Sequence, residues 1–287
     1  MSRYQIWVPS IGLFKMNTFK QKLHDQYQHH ADAFEKKLEN GTVDIWIDPN
    51  NADYWGNMLP MEPLMQPFSI LPSSSILTLG DGKGGKEAVF FKNLKHHVTA
   101  SDVAVSVLQH VHKSGVIDDY LEVDAENISL PDNSFDFVIT KETLHHLPRP
   151  YNAIYEMLRV AKHGIVFVEP SHPSTDRYQP PAEYEESGNF VFRFNAFELT
   201  QIARSYGVAE VAYGYGRMFH KRGSGQITGE ELSNLKKEVR ELHKNWDDEY
   251  GKEHRSMLIC IMMKKPMKDD FKSSLLDNRF DYFDLRR

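Results

Sequence analysis

The spacing of apolar residues along the chain changes three times. Residues 17–40 (NTFKQKLHDQYQHHADAFEKKLEN) carry a helical period that stops at Asn40-Gly41. Residues 43–68 hold two Trp, four Pro and few charges. They predict an irregular apolar segment, placed either as a cap over a pocket or against the flank of a domain. From residue 76, short apolar runs alternate with helical stretches. Strands are predicted at 76–79, 97–101, 120–123, 135–139 and 164–168, and helices at 86–95, 103–114 and 151–164, the last closing on Lys-His-Gly. Such alternation implies right-handed crossovers and a parallel sheet covered on both faces.

After residue 170 the pattern alters again. NAFELTQIARSYGV reads as a helix. AEVAYGYG and SMLICIMMKK read as strands, separated by a polar, helix-prone insertion at 229–250. They predict an antiparallel hairpin at the sheet edge. The tail from 267 is charged but carries Phe271, Phe280, Tyr282 and Phe283, which suit packing on the body or on a partner. The fold class is α/β, a doubly wound, mostly parallel sheet with an antiparallel C-terminal edge hairpin. The division is a helical cap segment at 1–70, a main domain at 71–266 with an insertion at 217–255, and a tail at 267–287.

Composition narrows the function. Of 287 residues 40% are hydrophobic and 12% aromatic, enough for a sizeable core. The formal net charge of −6 repels phosphate backbones, which argues against a general nucleic-acid binder despite the basic stretch FHKRGSG at 219–225. The single cysteine, Cys260, excludes an internal disulfide and sits in an apolar run that predicts an inert buried thiol. No run approaches the roughly 20 apolar residues of a membrane helix. With no signal peptide evident, the expectation is a cytoplasmic protein with a small-molecule substrate, no membrane partner and a homo-oligomer left open. Fourteen histidines raise the question of a metal, but His29, His30, His96 and His97 stand in polar contexts that predict exposure.

The chemistry gathers around ILTLGDGKGGKE at 76–87. A buried strand that hands its chain to a helix needs a tight turn. Glycines there let a ligand approach bare backbone, with the free N–H groups of the next helix facing it. Gly80, Gly82 and Gly84 therefore read as a cofactor turn. Asp102 follows at the next strand end, 22 positions after Gly80, where a carboxylate can accept both hydroxyls of a ribose. A third strand ends at Asp124-Ala125, and a Leu-Pro-Asp-Asn-Ser-Phe-Asp turn leads into the fourth.

These features, in this order and spacing, resemble the class I S-adenosylmethionine-dependent methyltransferases, in particular the small-molecule type with a D-A-x-x-L-P-x-x-x-F-D segment. The resemblance covers 76–170 closely and 171–265 loosely, and implies a Rossmann-like fold and S-adenosyl-L-methionine as cofactor. It implies further that Gly80, Gly82 and Gly84 lie against the methionine part, that Asp102 holds the ribose, and that Val103 lies beside the adenine. Asp124 would accept from the adenine amino group, with the Ala125 backbone against the ring and Lys141 near the methionine end. One position departs from the family. Thr78 stands where an acid usually helps position the methionine amino group, and Asp81 is the candidate to compensate.

Methyl transfer to oxygen or nitrogen can require a base beside an aligned acceptor. KETLHHLPRP and VEPSHP supply Glu142, His145, His146, Glu169 and His172. Family members with a histidine after the fourth strand make His146 the first candidate base and His145 the second; the competing reading has the pair packing beneath the cofactor. A metal held by Glu142, His145 and His146 is a further alternative, though no metal is assigned. His172, Arg177, Tyr178, Tyr184, Asn189 and Arg193 are candidate substrate contacts, and Tyr54 and Trp55 could stack on a ring or be buried. EESGNFVFRFNAFEL resembles members associated with glycan biosynthesis. The function expected is methyl transfer to a small-molecule oxygen, plausibly on a sugar or glycan precursor. An N-methyltransferase, a non-catalytic cofactor-binding regulator and a nicotinamide-dependent enzyme are the alternatives.

Overall fold

The alternating run folds as its periodicity predicts. The computed structural model describes residues 14–171, 183–184, 190–252 and 255–286, with side chains from residue 25 onward outside 172–191. An N-terminal layer comprises α1 (Phe14–Glu39), α2 (Thr42–Ile47), α3 (Ala52–Met58), a tight turn at Leu59–Leu64 and α4 (Met65–Ser69). Then come β1 (Ser75–Leu79), α5 (Lys86–Asn93), β2 (His97–Asp102), α6 (Ser106–Lys113), β3 (Asp119–Glu122), β4 (Phe135–Lys141), α7 (Pro150–Val160) and β5 (Ala161–Pro170). A two-strand ribbon, β6 (Glu183–Tyr184) and β7 (Phe190–Val191), precedes α8 (Ala196–Ser205), β8 (Glu210–Gly216), α9 (Gly229–Tyr250), β9 (Met257–Met263), α10 (Asp269–Asp277) and β10 (Asp281–Asp284).

The main sheet has the order β10-β8-β9-β5-β4-β1-β2-β3. Strand order reverses between β1 and β4, and ligands of such sheets bind outside the carboxyl ends at that switch. Successive β1 residues point to opposite faces. Ile76 joins Phe68, Phe91 and Phe137 on one face, whereas Leu77 and Leu79 join Val138 and Met157 on the other. Both faces are thus covered, which fixes β1 and the loop that follows it. Cutting a fully buried leucine such as Leu77 back to alanine in a core of this kind costs about 2–5 kcal/mol.

The structure departs from the sequence reading at two places. The helix expected over 151–164 ends at Val160, and Ala161 is already extended, with φ −75° and ψ 137°. Gly164 serves the sheet instead of a helix cap. A Cβ there would lie 2.6 Å from the Met262 carbonyl oxygen of the neighbouring strand. The β8–β9 hairpin is present, but β9 is inserted between β5 and β8, and the outermost strand is β10 from the tail. Phe271 and Phe280 are buried in the core beside it. The 43–68 segment does both things considered for it. Ala52, Trp55 and Leu59 pack against Ile227 and Leu232 beneath α9, while Asn57 reaches a cavity at the sheet edge.

Candidate functional site

That cavity, of about 220 Å³, opens at the carboxyl ends of β1, β2 and β4. Gly80, Asp102, Val103, Ala125, Lys141 and His146 line it, joining six of the residues singled out in the sequence. Gly80 has φ +69°, and a Cβ there would overlap the Thr143 side chain. Gly82 is held by a second constraint. Its N–H donates to Asp102 Oδ2 at 3.0 Å, and a Cβ would collide with that carboxylate and with the Phe34 ring. The glycine turn is therefore folded tightly onto the end of β2.

Asp102 is buried, and its Oδ1 also accepts from the Ala104 N–H at 2.8 Å. His30 Nε2 lies 3.1 Å from the same oxygen. Asp124 Oδ1 accepts from the Glu126 N–H at 2.9 Å and from the Tyr27 hydroxyl at 3.1 Å. Gln26 on the same helix donates to the His146 carbonyl oxygen at 2.9 Å. Four side chains of α1 (Gln26, Tyr27, His30 and Phe34) thus lie in the cavity wall, and two of them touch the predicted nucleoside-binding aspartates. His30 keeps about a third of its side chain exposed (36%) while pairing with Asp102. His96 is not the solvated residue its polar context predicted; it is buried between the Ser74 N–H and the Phe68 carbonyl.

Asp81 faces inward. It accepts from the Thr78 hydroxyl at 2.8 Å and from the N–H groups of Glu87 and Ala88, so it caps α5. Burial, then the neighbouring Glu87 carboxylate, raises its pKa well above the usual carboxylate range. Asp81 does not line the cavity; Glu87 does, together with Lys86. Lys86 is the first residue of α5, is 3% exposed, and has its ammonium 5.8 Å from the centre of the Tyr54 ring. Burial, reinforced by Lys141, brings its pKa down to about 8. Lys141 Nζ donates to Glu142 Oε2 at 2.6 Å and to Asn57 Oδ1 at 3.2 Å, and lies 3.7 Å from Glu87 Oε1. Burial works against its charge, but Glu87 and Glu142 outweigh that and raise its pKa. Glu142 adopts φ +52°, an unfavourable backbone for a residue with a Cβ.

The two histidines separate. His146 lines the cavity, whereas the His145 ring turns away to place Nδ1 2.7 Å from Glu169 Oε2. Glu169 is fully buried and also accepts from the N–H groups of Thr143 and Leu144, fixing the turn that carries both rings. The two rings meet at a tilt of 42° with centroids 3.8 Å apart. Among the described residues no three His, Cys, Asp or Glu side chains converge on a metal position. His172, Arg177, Tyr178 and Asn189 lie outside the described residues, as does the side chain of Tyr184; Arg193 is exposed. Trp55 is buried against Phe219, and burial pushes the half-buried Tyr54 hydroxyl up to about 12.

The arrangement fits an adenosyl amino acid. It offers the Asp102 carboxylate at a strand end, bare backbone at Gly80, and opposite charges from Lys86 and Glu87 for an amino-acid zwitterion, whereas Gly82, Gly84 and Asp124 do not line it. The charged side chains lining it are balanced, with Lys83, Lys86 and Lys141 against Glu87, Glu142 and Asp102.

Comparison with known proteins places this geometry. Residues 77–168 match the family described as a methyltransferase domain. The chain is 28% identical over 174 residues to 2-methyl-6-phytyl-1,4-hydroquinone methyltransferase of Synechocystis, covering 54% of this chain and 55% of that protein. It is 32% identical over 112 residues to a ubiquinone/menaquinone biosynthesis C-methyltransferase of Vibrio cholerae, covering 36% and 43%. The chain thus spans about half the length of these relatives. A solved S-adenosylmethionine-dependent methyltransferase from Thermotoga maritima, described as a possible histamine N-methyltransferase, shares the fold with a TM-score of 0.50. Its sequence identity is 20%, over 81% of this chain and 98% of that one. With its glycine turn, strand-end aspartates and 3-2-1-4-5 strand order, the chain matches the methyltransferase-domain family over residues 77–168 and shares the fold of the solved Thermotoga enzyme.

Proposed function

We propose that the protein transfers a methyl group from S-adenosylmethionine to an oxygen of a small molecule, a sugar or glycan precursor. The observation that carries the reading is the convergence of Gly80, Asp102, Ala125, Lys141 and His146 on one cavity at the switch point. When bound, the cofactor supplies a methyl group already activated on a sulfonium. Asp102 would accept from the ribose hydroxyls, and Asp124 from the adenine amino group. Lys86 would meet the cofactor's carboxylate and Glu87 its ammonium, which supplies the charge missing at Thr78. Lys141, pinned by Glu142 and Asn57, stiffens that end of the cavity.

His146 would take the acceptor's proton, and His145 with Glu169 would hold the turn in place. Gln26, Tyr27 and Phe34 form one wall of the cavity and would help keep water from the aligned methyl donor and acceptor. A second reading comes from the names of the relatives, both methyltransferases of quinone-type compounds: transfer to carbon of a hydroxylated aromatic ring, with the same histidine removing the ring proton.

Labelled S-adenosylmethionine offered with sugars, glycan precursors and hydroquinones tests both. Methyl uptake into sugar oxygen supports the first reading, uptake into ring carbon the second, and cofactor left intact with every acceptor sinks the enzyme reading. The His146→Ala variant is expected to lose about 100-fold or more in turnover while S-adenosylhomocysteine binding is unchanged.

A further inference from the structure

A second, larger cavity of about 520 Å³ lies farther along the same sheet edge. Its walls are Arg217 just after β8, Arg255 just before β9, and a stripe of α9 carrying Arg240, His243, Lys244 and Asp247. Spacings of three and four residues put the α9 groups on one helix face. Arg279, just beyond α10, closes the far side.

Asp247 receives both flanking arginines. Arg255 Nε donates to it at 3.0 Å, Arg255 Nη2 bonds its other oxygen, and Arg217 Nη2 donates at 3.3 Å. Arg240 pairs with Glu62 at 2.9 Å. Five arginine and lysine cations thus line the cavity against the three carboxylates of Glu62, Asp247 and Asp277. This surplus sits on a chain whose total charge is −6. The His243 ring registers it, since burial and then Arg217 and Arg255 lower its pKa. The Arg217 guanidinium carbon also lies 5.1 Å from the centre of the Trp246 ring.

We propose that this cavity binds a small molecule through a phosphate or diphosphate group. Guanidinium forks suit phosphate oxygens in pairs, and forks already held by Asp247 lose little freedom on doing so. The volume falls in the usual range for small-molecule sites, about 300–1,000 Å³, and exceeds what an isolated counter-ion needs. The proposal does not depend on methyl transfer and involves none of the residues assigned to the first cavity.

The test is calorimetric titration of the full chain with inorganic pyrophosphate, alongside the Lys244→Gln/Arg279→Gln double variant. Both residues are exposed at the surface, so the variant is expected to keep its fold and its S-adenosylhomocysteine affinity. Saturable uptake tighter than about 1 mM, weakened about tenfold or more in the double variant and weakened by added salt, is the expected result. No saturable uptake, or uptake equal in the variant, overturns the proposal. Glucose phosphate and uridine diphosphate glucose then separate two sources of the group. Displacement of pyrophosphate with methyl uptake marks a phosphate carried by the acceptor; displacement without methyl uptake marks an effector.

Discussion

The two cavities are built on opposite plans. In the first, one buried cation, Lys141, stands between two carboxylates, Glu87 and Glu142. In the second, one carboxylate, Asp247, stands between two guanidiniums, Arg217 and Arg255. The first is walled on one side by α1 and balanced in charge, as suits a zwitterionic, sulfonium-bearing ligand. The second is larger and keeps a positive surplus, as suits an anion. The same sheet edge can therefore hold two chemistries side by side, because local pairing and not total charge sets what each hollow accepts.

Substitutions can break or sharpen that contrast. The largest effect is expected from Asp102→Ala. Removing the proposed ribose acceptor should weaken S-adenosylhomocysteine binding about 100-fold or more, since bonds to a charged group contribute about 1.5–3 kcal/mol each. It also strips the Gly82 and Ala104 N–H groups of their partner, so thermal melting should drop too. Pyrophosphate uptake at the second cavity should be unmoved.

A smaller effect is expected from Lys86→Met. S-adenosylhomocysteine should bind about tenfold more weakly, while methylthioadenosine, which lacks the amino-acid end, should bind as before. Equal losses for both ligands would remove Lys86 from that role. The pH dependence follows from the same group. With the pKa brought down to about 8, Lys86 is a cation below that pH and neutral above it. S-adenosylhomocysteine affinity in the wild type should therefore decline above about pH 8 and level off about tenfold lower, the loss expected of the methionine variant, and methylthioadenosine affinity should stay flat.

The smallest effect is expected from His30→Ala. Vacating one acceptor position on Asp102 should tighten S-adenosylhomocysteine binding by about two- to tenfold, the equivalent of one net hydrogen bond. Weaker binding would instead make His30 part of the cofactor's own cage.

Different parts of this site were legible to different degrees. That Gly80, Asp102 and Ala125 would meet at one sheet edge could be read because strand ends and the turns that follow them are local, and their spacing survives in the linear text. Tyr27 and His30 could not, because they reach aspartates 97 and 72 residues away through packing of α1 on the sheet edge. Lys86 and Glu87 left a faint signal. A lysine at the first position of a helix opposes the helix dipole, and such a cost at a glycine turn points to a reason outside the helix. Asp81 misled for a local cause, since a carboxylate inside the turn also caps the helix that follows, and here it does so. The tail's aromatics hinted at packing, but the edge position of β10 depends on β9 being inserted beside β5, which no pattern along the chain encodes.

The left-handed backbone at Glu142 has a bearing on any attempt to make this protein hardier. Relaxing that residue with glycine would ease the main chain, yet it would also delete the carboxylate that anchors Lys141. Ruggedness and competence are in conflict at this one position, so thermostabilising changes are better sought around β10 and α10, away from both hollows.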